Sequence, residues 1–491
     1  MSQLTRREML ERSMLATAAA LAASPLTGLG IGQSALAADA PPQSTSPNEQ
    51  LLCAIIGVRS RGREHISEFS QRKDVRIAMI CDADADVGNS VCEEIAKSTG
   101  HKPEFVQDMR RVFENPSINF ISTATPNHWH ALTAIWAMQA GKDVYVEKPV
   151  SHNVSEGRRI VQAAEKLGRI CQVGTQSRST GGMRAAMEYV HTGKLGEVKL
   201  ARGLCYKRRP SIGAAGEFSP PKSVDYDLWC GPAPLAPLTR KQFHYDWHWQ
   251  WPYGNGDLGN QGIHQMDLCR WALNVNQLSK RVISYGGRFG YVDSGETPNT
   301  QVVVHDFGDK SIVFEVRGLE TGDFKTAKVG IIVEGSDGYL VMTSYSDGTV
   351  FDKNGQAIKQ FRGGGNHFHN FVDAVRAHDA SKLQGPILEG HLSSALCHTG
   401  NISYLLGQPV GPSELRECLQ EVKLADDVAD TLERTTRHLD DNHVHLDDST
   451  RWQAGEVLTF DPVTETFPGN ARANDLLTRE YRAPFVVPST I

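Results

Sequence analysis

No two cysteines in this 491-residue chain stand in a C-x-x-C arrangement. Nine cysteines are present, an odd number, and several, such as Cys53 and Cys171, sit inside apolar runs. This favours buried free thiols over a disulfide framework, although a location outside the cytoplasm would permit a bridge. Basic charge is also scarce: 51 Lys and Arg face 57 Asp and Glu, a formal charge of −6, so no nucleic-acid surface is expected. After the first 40 residues no apolar run is long enough to span a bilayer. Neither G-K-[ST] nor G-x-S-x-G closes a strand, which sets aside phosphate-loop ATPase and serine-hydrolase chemistry. The pairs His244/His248, His367/His369 and His443/His445 lack a nearby cysteine pair or an H-E-x-x-H helix, so no metal is expected.

The N-terminus reads as a targeting segment. Arg6 and Arg7 precede an Ala/Leu-rich stretch from Met14 to Ala23, and Ala35 and Ala37 offer small residues for cleavage. Paired arginines point to the Tat exporter, which moves folded proteins to the periplasm; a Sec signal or an anchor is the plainer alternative. Residues 1–37 are assigned to this signal and 38–50 to a Pro/Ser-rich linker.

From Leu51 short apolar runs alternate with helical periods. "LLCAIIGV", "VRIAMICD", "INFISTAT", "DVYVEKP" and "RICQVGT" read as strands with helices between them. That pattern is an α/β, doubly wound parallel sheet, here over 51–174. After Thr175 strands dominate, from "GEVKLARGLCY" to "GYLVMTS", before a helical return through "NHFHNFVDAVRAH" and "LEGHLSSALCHTGNISYLLG". The expectation for 175–410 is an α+β domain with a large, mostly antiparallel open sheet that supports a homo-oligomer. Residues 411–491 read as an arm packed on both.

The first strand runs into "GVRSRG". Gly57 and Gly62 fit the outer positions of a dinucleotide fingerprint, while Arg59 takes the middle glycine's place. Ser60 and Arg61 complete the loop. Asp82 ends the second strand where an acid binds the adenosine ribose, which favours NAD over NADP. Asp82, Asp84 or Asp86 would serve equally as a helix N-cap. Thr125, Pro126, Asn127 and His128 turn into a helix at the same sheet edge and are candidates to bind the cofactor, Asn127 and His128 by hydrogen bonds, while His130 reads as a helix-start surface residue.

The strand "DVYV" ends in Glu147-Lys148-Pro149. A lysine held there and partly desolvated would have a lowered pKa and could exchange a proton with a bound hydroxyl. The Gly57–Gly62 loop, Asp82, "TPNHWHA", "GKDVYVEKPV" and "GNQGIHQMD" together resemble the glucose-fructose oxidoreductase/inositol dehydrogenase/MocA (Gfo/Idh/MocA) family, over Leu51 to about Gly407. The resemblance implies that Glu147 helps hold the nicotinamide ribose. It places Lys148 beside the substrate hydroxyl and implies that Pro149 often follows a cis bond.

In "GNQGIHQMD", Gly262, His264 and Asp267 match the family's D-x-G-x-H-x-x-D segment, with Asn260 in place of the first aspartate. Asn260 can orient a partner but cannot act as a base. Proton transfer then falls on Lys148 and His264, with Asp257 a weaker candidate and Asp267 either orienting His264 or packing its helix. Trp247, Trp249, Trp251 and Tyr253 alternate, so an extended segment would be aromatic on one face; with His248 they are candidates to bind a sugar, and a core strand or an oligomer contact stands equally beside that reading. Gln176 and Arg178 point to substrate or nicotinamide.

The expected function is an exported oxidoreductase acting on a sugar or polyol hydroxyl with bound NAD. Two alternatives stand beside it. One is a redox glycosidase that oxidises, eliminates, adds water and reduces; the other is a non-catalytic sugar- or NAD-binding protein.

Overall fold

A computed structural model of the chain describes residues 49–420, 428–447 and 451–491. The proposed signal and all but the end of the linker lie outside the described residues. Six strands form the first sheet: β1 (Leu51–Ile56), β2 (Val75–Cys81), β3 (Glu104–Val106), β4 (Phe120–Thr123), β5 (Asp143–Val146) and β6 (Cys171–Val173). Their order is β3-β2-β1-β4-β5-β6, with every pair parallel. Reversal of winding between β1 and β4 opens a crevice at the strand tips, where ligands bind in such sheets.

Helices α1 (Ser60–Ser70), α2 (Ala85–Thr99), α3 (Arg110–Glu114), α4 (Asn127–Gln139) and α5 (Val154–Leu167) connect the strands. Local signals bound them. Asp84 caps α2 by accepting from the Asp86 and Val87 N–H groups, and Gly100 ends it in the left-handed region. Asn153 and Gly168 do the same for α5. α4 and α5 bury one face of the sheet through Trp129, Ile135 and Ile160. The opposite face over β4 and β5 is closed by a much later helix, His367–Ala377, whose Phe368 and Phe371 pack on Phe120 and Tyr145. The first domain is therefore completed by sequence from beyond residue 174.

The second sheet holds β7 (Val198–Tyr206), β8 (Arg281–Gly287), β9 (Thr300–Asp306), β10 (Ser311–Arg317), β11 (Val329–Gly335), β12 (Gly338–Met342), β13 (Gly348–Asp352), β14 (Ala357–Phe361), β15 (Gln408–Val410), β16 (Trp452–Ala454) and β17 (Leu458–Thr459). It is open and antiparallel except for the β7–β10 pair. Its inner face packs on the helices Gly262–Ala272 and Ile387–Leu406. Its outer face is covered by the chain itself: Leu415, Leu419, Leu432, Leu439 and Trp452 pack on Ile283, Tyr285, Val302 and Val304. Beneath them Arg434 grips the buried Glu315 with two bonds, of 2.9 and 2.8 Å.

The aromatic stretch is not extended. Asp246–Trp249 is a 3₁₀ turn and the chain doubles back at Gln250. Trp247 and Tyr253 are buried with Trp229 and Phe243, because a tight turn lets several rings leave water together. Eight of the nine cysteines are buried free thiols; Cys418 is exposed. Among the described residues no helix is long and apolar enough to cross a membrane.

Candidate active site

The glycine loop between β1 and α1 is built for a close approach. Gly57 has φ +80°, and a Cβ there would lie 2.8 Å from the Thr125 nitrogen; one on Gly62 would lie 2.0 Å from the Gly57 oxygen. Arg59, in the middle, is extended and exposed at the helix start. Asp82 closes the loop: its Oδ2 accepts from the Val58 N–H at 2.9 Å and its Oδ1 from the Asp84 N–H at 3.0 Å. Burial pushes its pKa up. Because Asp84 takes the capping role, Asp82 remains partly exposed to a cleft of about 320 Å³. The cleft runs from Asp82 past Ser60, Thr125 and Pro126 to Lys148, under a roof that includes Trp229, Trp247 and His248.

At the tip of β5 the Glu147 carboxylate is buried. Arg61 Nε donates to it at 2.6 Å, the Lys148 N–H at 3.2 Å, and His65 Nε2 lies 3.1 Å away. Burial alone would raise its pKa; Arg61 and His65 reverse this and hold it well below the usual carboxylate range. Gly174 at the end of β6 leaves the room, since a Cβ there would meet Glu147 Oε1 at 2.8 Å. The Lys148–Pro149 bond is cis. His130 is buried, not on the surface: its ring lies between the Pro149 carbonyl (2.6 Å) and the Thr125 carbonyl (2.8 Å) and ties the two turns together.

Lys148 Nζ donates to the Asn260 carbonyl at 2.9 Å. Burial first, then the charges of Arg61, Lys207 and Arg209, push its pKa down against the pull of Glu147. Beyond it lies a second cavity of about 530 Å³, shared by Arg61, Lys148, Gln176, Gln261, His264 and Tyr345. His264 is held neutral by burial and by Lys148, and its Nδ1 has no partner among the described residues. The Gln176 Oε1 is likewise buried and unpaired. Gln261 Nε2 donates to the Tyr345 hydroxyl at 3.1 Å, and the Tyr345 ring lies 5.1 Å from that of His264.

Several expected site residues are elsewhere. His128 is buried outside the cleft lining, 3.0 Å from the Trp229 carbonyl. Tyr253 packs against Trp229 at 4.9 Å and lines neither cavity. Arg178 is buried in ion pairs with Asp267 (2.8 Å) and Glu389 (2.9 Å), so neither Arg178 nor Asp267 serves substrate or His264. Each side chain belongs to a buried network whose partners lie far away in sequence. Asp257 is no free base, because it holds Arg209 with two bonds, of 2.9 and 2.6 Å. Asn127 lines the cleft with its amide turned to Asn255 (2.9 Å).

Lys207, Arg209 and Tyr345 were not found from sequence. "CYKRRP" ends β7 at a proline as "VYVEKP" ends β5, a parallel that signals Lys207; Tyr345 lies in a turn with no motif. Among the described residues no three metal-ligating side chains converge.

These residues fit a dinucleotide. The two glycines leave the cradle that a Cβ would fill, Asp82 turns a carboxylate to the cleft, and Arg61 keeps a buried, unpaired Nη2 donor. Comparison with known proteins agrees. The family described as "Oxidoreductase family, NAD-binding Rossmann fold" matches residues 51–175, and its C-terminal alpha/beta domain matches 214–440. A glycosyl hydrolase family 109 protein of Saccharopolyspora erythraea is 31% identical over 205 residues, 39% of this chain and 44% of that protein. Levoglucosan dehydrogenase of Pseudarthrobacter phenanthrenivorans is 26% identical over 234 residues, 45% of this chain and 53% of that enzyme. The match thus spans about half the length of these relatives. The WlbA dehydrogenase of Bordetella pertussis, solved with NADH and UDP-GlcNAcA, shares the fold at a TM-score of 0.52 and 18% identity, over 71% of this chain and 94% of that one. With the fingerprint glycines, the Glu147-Lys148-Pro149 turn and both domain matches in place, the chain belongs to the Gfo/Idh/MocA oxidoreductase family, with its NAD-binding domain over 51–175.

Proposed function

We propose that this protein oxidises or reduces a hydroxyl of a sugar, polyol or glycoside with tightly bound NAD(H). The observation that carries this is the position of the Lys148 amine, where the glycine-loop cleft meets the His264 cavity. NAD, when bound, supplies the acceptor for the substrate's carbon-bound hydrogen and its electron pair. Gly57, Ser60, Gly62, Asp82 and Arg61 would hold it. Lys148 takes the hydroxyl proton as the C–O bond becomes a carbonyl, because its lowered pKa makes the neutral, proton-accepting amine available. Neutral His264 offers an unpaired ring nitrogen to the substrate, and the Asn260 carbonyl keeps Lys148 aimed.

A second reading is favoured by the relatives named glycosyl hydrolase family 109 and alpha-N-acetylgalactosaminidase. Here oxidation at one sugar carbon acidifies the neighbouring C–H, a base removes that proton, and the glycosidic oxygen leaves. Water adds and the carbonyl is reduced again, so no net oxidation occurs. Export through the Tat route, supported by Arg6 and Arg7, would suit either cycle, since a cofactor carried outside must be regenerated in place. A homo-oligomer would form away from the outer sheet face, which the chain's own helices cover.

The test is purification without added cofactor, followed by absorbance and product analysis. A bound nicotinamide band that changes with candidate sugars supports the oxidoreductase. Release of an aryl aglycone with no NAD consumed selects the glycosidase. Absence of nicotinamide, with none taken up on addition, rejects both.

A further inference from the structure

Two lysine amines in the cleft have only uncharged hydrogen-bond partners. Lys148 donates to the Asn260 carbonyl at 2.9 Å, and Lys207, one residue past β7, donates to the Gln261 amide oxygen at 3.1 Å. Neither has a carboxylate ion-pair partner among the described residues. Beside them Asp257 holds Arg209, and Glu147 and Glu64 hold Arg61. Lys207 is left beside Arg209 with no carboxylate of its own, where the cationic ring of an oxidised nicotinamide would add further positive charge. A pyrophosphate would be held by the glycine loop and Arg59, which line the same cleft.

Resting on the function proposed above, we infer that the substrate is an acidic sugar, bearing a carboxylate or sulfate-ester group bound by Lys207 and Arg209. Like charges in a partly desolvated cleft disfavour one another; an anionic oxygen group relieves this and a neutral hydroxyl does not. Arg209 is ready for the task, its guanidinium fixed by two bonds that it donates to Asp257 and a third to the Tyr245 hydroxyl at 3.2 Å. The stacked rings of Trp247 and His248, 3.7 Å apart, give the C–H side of a sugar a surface beside these cations.

The test is calorimetric titration of the NAD-loaded protein with D-glucuronate, D-glucose 6-sulfate and D-glucose. At least one anion is expected to bind about tenfold or more tightly than glucose, with a preference that weakens as salt is added. Lys207→Met should reduce that preference to about threefold or less, while NAD affinity, read by fluorescence quenching, stays within about threefold. Equal affinity for the three sugars overturns the inference. So does a Lys207→Met protein that loses NAD and keeps its sugar preference, because the cations then serve the dinucleotide. The nicotinamide band followed in the same titrations reports the redox proposal separately: an acid that binds without changing the band leaves this inference standing and removes the oxidoreductase.

Discussion

The amine of Lys148 and the backbone carbonyl of Asn260 are 2.9 Å apart, although 112 positions separate them in the chain. This bond joins a strand tip of the parallel sheet to the short helix Gly256–Asn260 of the second domain. It also keeps the amine at the border of the two cavities. Replacing Lys148 by Met should lower kcat about 10²- to 10⁴-fold, the range for losing a general acid–base group. Circular dichroism and a melting curve near wild type would confirm that the loss is chemical; retained turnover would remove Lys148 from the mechanism.

Because burial and the charges of Arg61, Lys207 and Arg209 lower the Lys148 pKa, the neutral amine is available below the ordinary lysine range. For oxidation, kcat/KM should rise as pH rises through that lowered value and be lost as pH falls below it. Lys207→Met removes one repelling charge, so the rising limb should move to higher pH. The pH profile of the two proteins checks this.

Asp82 ties the glycine loop through the Val58 N–H at 2.9 Å and faces the cleft. Asp82→Ala should weaken NAD binding at least about tenfold and narrow the preference for NAD over NADP. Fluorescence titration with both cofactors measures the two effects.

Against the upward push of partial burial, His391 and Arg158 hold the Glu465 carboxylate down to about 2, from an ordinary 4.5. A group with a depressed folded-state pKa stabilises fully above its unfolded value and loses that contribution as pH falls toward the folded one. Stability from this cluster should therefore disappear between pH 4.5 and about 2. Thermal melts of wild type and Glu465→Gln should differ near neutrality and converge at the acid end.

Leu439, on the helix Val428–Asp441, is wholly buried against the outer sheet face. Leu439→Ala should cost about 2–5 kcal/mol of stability. Leu439→Asp should free the helix and expose the apolar face, and light scattering should then detect self-association.

The parallel sheet and the Lys148 turn were legible because their signals are local. Period-two and 3.6-residue patterning, caps such as Asp84 and Asn153, and a proline-stopped strand all act over a few residues. Eight buried thiols and the two required glycines follow from the same short-range logic. The aromatic stretch misled because alternation fits an extended face only if the backbone is extended, and collective ring burial favoured a tight turn.

By itself, then, the sequence determined the alternation of strands and helices, the glycine loop and the proline-stopped turn that carries Lys148. Tertiary structure alone decided which polar side chains would face the cleft. Arg178 and Asp257 were taken up by ion pairs with partners up to 211 positions away (Arg178 to Glu389), while Lys207 was left with an amide and an open cleft. The reason is electrostatic: a buried charge must be matched by whichever opposite charge the fold brings near, and that pairing is set by three-dimensional proximity, which residue spacing does not encode.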